Sequence, residues 1–267
     1  MDSIISLIKN MPKAERIPQE ERDRREIEWI NSRPGNLEGY DCDHCLNRGY
    51  IAVPSPYGRV TRECECMKVR YSLRLIEKSG LKSLMERYSL KNFHTDEQWQ
   101  KNVKAKAVMF LADWEGKWFA VLGQVGCGKT HICSAIAGEL LKSGMPVYYM
   151  IWNTDVKKLR ATVNDGEAHE REIARLQTME VLYIDDLFKC KHNAEPSDAD
   201  VKLAFEILNA RYNAQLTTLI SSEFSIDELS DIDTAIAGRI NQMCGKFLTN
   251  IARKASRDYR WNTTTGE

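Results

Sequence analysis

The sequence has no surplus of charge of either sign: 38 lysines and arginines balance 38 aspartates and glutamates over 267 residues. That balance excludes a long-range pull toward DNA or an anionic membrane, so any nucleic-acid contact has to be a local patch. Long apolar runs are missing too. The stretch from Val147 to Trp152 is as long as any, far short of the roughly 18 apolar residues that suggest a membrane span. Residues Met1 to Lys9 lack the basic start, continuous apolar region and small-residue cleavage site of a secretory signal. The expected location is therefore the cytoplasm, with no membrane partner. Internal repeats and low-complexity tracts are also absent. What remains is ordinary globular material: 43% hydrophobic and 28% charged, near the roughly 45 to 50% and 25% of soluble domains.

Three regions follow from the pattern. Residues 1 to 39 read as a helical arm: Ile4, Leu7, Ile8 and Met11 fall at helical spacing before Pro12, and a second helix follows Pro18. In that second helix Glu20/Arg24 and Glu21/Arg25 are spaced for exposed i, i+4 ion pairs. Residues 40 to 90 hold four of the eight cysteines on short strands and turns, then a helical stretch from Met67 to Tyr88 interrupted near Ser79-Gly80. From 91 to 267 short apolar strands alternate with helices, which predicts a parallel sheet with helices on its faces. The predicted strands are Lys117 to Leu122, Val147 to Trp152, Val181 to Asp185, Leu216 to Ser221 and Lys246 to Ile251. Ser197 to Asp200 is a near capping box opening a helix with Val201, Ala204, Phe205 and Leu208 on one side.

The sharpest motif runs Gly123-Gln124-Val125-Gly126-Cys127-Gly128-Lys129-Thr130, matching G-x-x-x-x-G-K-[ST] between a predicted strand and a predicted helix. Backbone N–H groups must converge on phosphate oxygens there, which requires glycine where a side chain would block the approach, and the helix N-terminus adds a positive dipole end. Gly123, Gly126, Cys127, Gly128, Lys129, Thr130 and His131 are thus the expected nucleotide-binding residues, with Lys129 on the β and γ phosphates of ATP and Thr130 on Mg²⁺. Some fifty residues on, Val181 to Asp186 is an apolar strand ending in two carboxylates. At the carboxyl end of a neighbouring parallel strand, Asp185 is assigned to Mg²⁺ and Asp186 to the water that attacks the γ-phosphate. Alone, two acids ending a strand would mean little; beside a phosphate loop they complete it.

Cys42 and Cys45, then Cys64 and Cys66 after a hairpin-sized loop with Pro54, Pro56 and Gly58, offer the four thiolates of a structural Zn²⁺ site. Such an ion replaces the core that a module of about thirty residues cannot build. His44 could stand in for one cysteine, and disulfides or free thiols are the alternative.

These residues resemble the bacterial and phage replicative-helicase loaders of the DnaC/DnaI type within the AAA+ ATPases. The resemblance is carried by Gly126 to His131, by Ile184-Asp185-Asp186, by the lead-in Ser89 to Phe93, by Leu208 to Tyr212 with Thr217 to Glu223, and by Ala237-Gly238-Arg239-Ile240. More loosely, the cysteine pairs and Gly49-Tyr50-Ile51 resemble the N-terminal zinc domain of DnaI-like loaders, which contacts the helicase. The resemblance implies an α/β AAA+ P-loop core without a lid domain, preceded by a zinc-ribbon-like module. Only 28 residues follow Arg239, too few for such a lid. It also implies ATP and ADP binding, and ATP hydrolysis that is weak unless DNA or helicase stimulates it. The implied partners are a hexameric DnaB-type helicase, single-stranded DNA and further copies of the chain. Arg239 is implied as an arginine finger acting on a neighbouring subunit, with a solvated helix arginine as the alternative. The sensor position, often asparagine in the family, reads Ser222-Glu223; Ser222 is taken as the catalytic one.

Residues 153 to 178, where such proteins insert DNA-contacting helices, carry balanced charge. The tail from Lys246 to Arg260, with five basic residues and one acidic, is a second candidate DNA surface, with a solvated face as the commoner explanation. Two other readings stand beside the loader: an IstB-type transposition helper, which shares the core but looks helical where the cysteines lie here, and an adaptor that uses ATP only as a switch. A zinc-containing nucleoside kinase would have the phosphate loop first and the zinc module after it, the reverse of this order.

Overall fold

The computed structural model describes residues 17–79, 81–162, 165–190 and 195–259. The expected helix from Ile4 to Met11 and the tail residue Arg260 lie outside them. The chain divides at Met67/Lys68 into two compact units.

In the first unit, helix α1 (Gln19–Asn31) starts after Pro18, whose ring presets φ for a helix entry. Glu21 takes both neighbouring guanidinium groups, Arg24 and Arg25, at 2.8 Å each. The expected Glu20/Arg24 pair is thereby displaced by an i, i+3 contact. Strands β1 (Tyr50–Ser55) and β2 (Gly58–Glu63) form an antiparallel hairpin, Tyr50 opposite Glu63 and Ser55 opposite Gly58. Asn31 at the end of α1 holds the hairpin at both backbone groups of Ala52: its Nδ2 donates to the carbonyl at 2.8 Å and its Oδ1 accepts the N–H at 3.0 Å.

Helix α2 (Cys66–Ser79) leads into the second unit and is followed by α3 (Leu81–Arg87) and α4 (Gln98–Ala112). Then come β3 (Trp118–Gly123), α5 (Lys129–Lys142), β4 (Val147–Ile151), α6 (Trp152–Ala161), α7 (Gly166–Thr178), β5 (Val181–Asp185), α8 (Asp198–Asn213), β6 (Thr217–Ser222), α9 (Ile226–Ile232), α10 (Thr234–Cys244) and β7 (Leu248–Ile251). All five strands from β3 on are parallel, in the order β4-β5-β6-β3-β7. Every residue of β3, β5 and β6 is buried, as expected of a parallel sheet covered on both faces.

The alternation of β3 shows the two layers directly. Phe119 and Val121 join Val103, Phe110, Ile132 and Ile136 from α4 and α5. Trp118, Ala120 and Leu122 join Val156, Ile173, Leu208 and Ile240 from the helices of the opposite face. This is the expected parallel sheet flanked by helices.

Strand limits differ from the sequence reading by a residue or two. Trp152 opens α6 instead of ending β4, because the Asp155 carboxylate reaches back to accept the Ile151 N–H at 2.9 Å and starts the helix there. Lys246 and Phe247 form a 3₁₀ turn before β7. The capping box at Ser197 forms as read: the Asp200 N–H donates to Ser197 Oγ at 3.3 Å and the Ser197 N–H to Asp200 Oδ2 at 3.2 Å.

Candidate nucleotide and metal sites

The crevice at the carboxyl ends of β3, β5 and β6 is where the chemistry-bearing residues meet. Residues 124–128 link β3 to α5, and Gly126 (φ +71°) and Gly128 (φ +89°) adopt left-handed backbone that other residues rarely take. A Cβ on Gly126 would also run into the Asp258 carboxylate. Gly128 is the N-cap of α5, so the first N–H groups of that helix open toward the loop. Lys129 is buried, with Nζ donating to the Gly123 and Gln124 carbonyls at 2.8 and 2.7 Å. Burial pushes its ammonium down, as desolvation does to any cation.

Asp185, 6% exposed, lies next to Thr130, whose Oγ1 donates to Oδ1 at 3.1 Å. β5 is not the immediate neighbour of β3, as the sequence reading had it; β6 lies between them. Three more hydroxyls converge on Asp185: Tyr183 at 2.8 Å and Ser221 at 2.5 Å on Oδ1, and Tyr149 at 2.8 Å on Oδ2. The sequence places Tyr149 only within the predicted strand Val147 to Trp152. The signal that could have found it is chemical, since a buried tyrosine hydroxyl needs a partner.

Asp186 turns the other way, with φ +57°. Its Oδ2 accepts from Lys189 Nζ at 2.7 Å, and the same nitrogen reaches Glu223 Oε1 at 2.8 Å. Burial pushes the Lys189 ammonium down, yet the two carboxylates outweigh it and raise it overall. Asp186 and Glu223 line one cleft with Val125 to His131. Ser222 does not: it is fully buried and donates its hydroxyl to the Leu187 carbonyl at 2.8 Å. The residue that faces the cleft at the end of β6 is Glu223.

The far end of the cleft is aromatic. His131 stacks on Tyr88 (4.6 Å between centroids) and meets Phe93 edge-on at 5.2 Å. Its Nε2 lies 3.0 Å from both the Ser89 carbonyl and the Asn92 side-chain oxygen, so the lead-in segment is clasped to the start of α5. From the other side comes the stretch after β7. The Tyr259 N–H donates to the Gly126 carbonyl at 3.2 Å, its ring stacks on His94, and its hydroxyl accepts from Gln100 Nε2 at 2.6 Å. Tyr88, His94, Gln100 and Tyr259 carry no motif that sequence reasoning could read.

Arg239 is not part of this cleft. On α10 its Nη2 donates to Asn209 Oδ1 at 2.7 Å and its Nη1 to the Ala235 carbonyl, while the guanidinium lies over Phe205 and Tyr212 at 4.8 and 5.5 Å.

In the first unit, the Sγ atoms of Cys42, Cys45, Cys64 and Cys66 all lie within 4.8 Å of one another. Cys42 and Cys64 are 3.8 Å apart, Cys45 and Cys66 3.5 Å. Four sulfurs at about 2.3 Å from one tetrahedral ion would be about 3.8 Å apart, so the donor set fits Zn²⁺. The exposed His44 is not in the group. Local backbone explains the convergence: Leu46, Asn47 and Gly49 take positive φ, wrapping the chain so that the Gly49 N–H donates to Cys45 Sγ at 3.3 Å. Burial would push the Cys45 thiol up, but that N–H and the three neighbouring thiols bring it down to about 7, while burial raises the neighbouring Cys64 thiol.

Comparison with known proteins supplies relatives. A family model described as IstB-like ATP binding protein matches residues 61–244. The phage-like element PBSX protein XkdC of Bacillus subtilis is 32% identical over 241 residues, 86% of this chain and 89% of that protein. The replicative helicase loader DnaC of Escherichia coli is 28% identical over 129 residues, 47% of this chain and about half (51%) of the loader. Among solved structures, the DnaC helicase loader superposes with a TM-score of 0.54 at 21% identity, over 64% of this chain and 98% of that one, a likeness of fold.

Proposed function

The chain belongs to the IstB-like ATP-binding protein family, and within that family we propose that it is an ATP-regulated loader of a replicative DNA helicase. The observation that carries the reading is the pairing of two sites in one chain, a complete phosphate loop with its carboxylates and a four-cysteine module in front of it. In this account the module grips the helicase and holds one Zn²⁺ through Cys42, Cys45, Cys64 and Cys66, which supplies a fixed core. The second unit binds ATP and single-stranded DNA. The IstB-type transposition helper is the second reading, favoured by the matching family model; the cysteine module speaks for the loader.

The chemistry assigned to each residue follows from position. Gly126 and Gly128 open the loop so that its N–H groups, and those starting α5, receive phosphate oxygens. Lys129 exchanges the carbonyls of Gly123 and Gln124 for the β and γ phosphates. Thr130 and Asp185 would hold Mg²⁺, which neutralises charge building between those phosphates. Asp186 orients the water that attacks the γ-phosphate. Arg239 leaves Asn209 and its two rings to reach a neighbouring subunit's phosphate, trading a neutral amide acceptor for an anionic one.

ATP binding and turnover, measured with helicase and single-stranded DNA present, test these roles. Lys129→Ala is expected to weaken ATP binding by more than about tenfold, the scale of a lost charge-assisted contact. Arg239→Ala should abolish the stimulated turnover and leave nucleotide affinity within about twofold, since a finger supplied in trans acts on the transition state. Lost affinity, or turnover like the parent, contradicts the finger.

A further inference from the structure

Two carboxylates line the cleft beside the phosphate loop, Asp186 from the end of β5 and Glu223 from the end of β6, where the reading above places the γ-phosphate. One cation joins them: Lys189 Nζ is 2.7 Å from Asp186 Oδ2 and 2.8 Å from Glu223 Oε1. All three side chains are about two-thirds or more buried, with 35%, 25% and 30% of their surface exposed, so solvent screens their charges only in part.

The arrangement is built into the backbone. Asp186 and Phe188 both take positive φ, at +57° and +63°, conformations that non-glycine residues hold only when their surroundings impose them. Ser221 holds the chain at the first of them. Its Oγ accepts the Asp186 N–H at 2.9 Å and its carbonyl accepts the Leu187 N–H at 2.8 Å. The resulting turn closes through the Lys189 N–H on the Asp186 carbonyl at 2.9 Å and lays the lysine back across both acids.

A third phosphate brings further negative charge to this end of the cleft. Two bare carboxylates there would repel it. Lys129 hydrogen-bonds to neither acid: its ammonium lies on the Gly123 and Gln124 carbonyls, and in the reading above it leaves them for the phosphates, not for the carboxylates. We propose that Lys189 sets the preference of this site for a nucleoside triphosphate over a diphosphate, by offsetting one of the two negative charges of Asp186 and Glu223 where the γ-phosphate enters. Lys189 is thus a specificity residue, acting through the two acids. The inference rests on the nucleotide-binding reading above and deepens it.

Equilibrium binding of ATP and ADP to the full chain tests it. Lys189→Met should weaken ATP by about tenfold or more and ADP by less than about threefold, because the added repulsion acts on the terminal phosphate. Lys189→Arg should keep the parent ratio. Lys189→Met combined with Glu223→Gln should return ATP to within about threefold of the parent, one carboxylate fewer needing no counter-charge. A merely structural lysine predicts something else: both nucleotides weaken together and Glu223→Gln gives no rescue. That pattern, or an ATP to ADP ratio unchanged in Lys189→Met, overturns the proposal and leaves the nucleotide site standing. A parent chain that binds neither nucleotide overturns the site reading, and the lysine's role falls with it.

Discussion

Asp185 shows how much a single side chain can organise. Four hydroxyls, from Thr130, Tyr149, Tyr183 and Ser221, share its carboxylate. Burial and the nearby carboxylate push both tyrosine hydroxyls far up, so they stay protonated donors. Asp185→Ala would strand them, and each buried group left without a partner costs about 1 to 3 kcal/mol. With about 2 to 4 °C lost per kcal/mol in a chain of this size, the variant should melt at least about 5 °C lower, and Asp185→Asn, which keeps an acceptor, should lose less. A melting temperature within about 1 °C of the parent for Asp185→Ala would contradict this account of the network. The motif spacing made Lys129, Thr130 and Asp185 legible in the sequence. The tyrosines were not, since an apolar strand with tyrosine in it reads the same whether the ring merely packs or its hydroxyl has work. The choice between Ser222 and Glu223 was equally hidden: neighbouring strand residues face opposite sides, and β6, buried on both faces, offers no polar alternation to give the phase.

Elements whose ends carry chemical signals were read closely; those that depend on partners were not. The glycines and Lys129 bound α5, and Ser197 bounds α8 through its capping box. Trp152 was misassigned because its strand ends at a carboxylate four residues into the next stretch, Asp155. The hairpin of β1 and β2 belongs to a unit whose core cluster is cysteine, so its order should depend on the metal. Stripping Zn²⁺ with a chelator, followed by amide hydrogen exchange, should raise exchange over residues 50–63 and leave 118–123 and 217–222 unchanged. Structural zinc contributes folding free energy outright. Unchanged exchange over the hairpin after complete metal removal, or a chain that binds no zinc, would contradict it.

At the scale of the whole molecule, a chain with balanced charge, and no helix among the described residues long and apolar enough to cross a membrane, has to find its partners through local surfaces. The alternation of strands and helices made the parallel sheet and the module order legible. The spatial order β4-β5-β6-β3-β7 was not, because sequence order tells which strands exist and not which are adjacent. That order puts the end of β6, with Ser221 and Glu223, between the phosphate loop and the β5 carboxylates, and so creates the Lys189 bridge. The central claim is that this nucleotide site and the cysteine module together serve a replicative helicase. Native mass spectrometry of the protein mixed with the replicative helicase of its own source, with ATP and Mg²⁺, tests it most directly. The account predicts a stable complex of a hexameric helicase with several copies of this chain, each carrying one zinc. The absence of any complex under every nucleotide condition would contradict it.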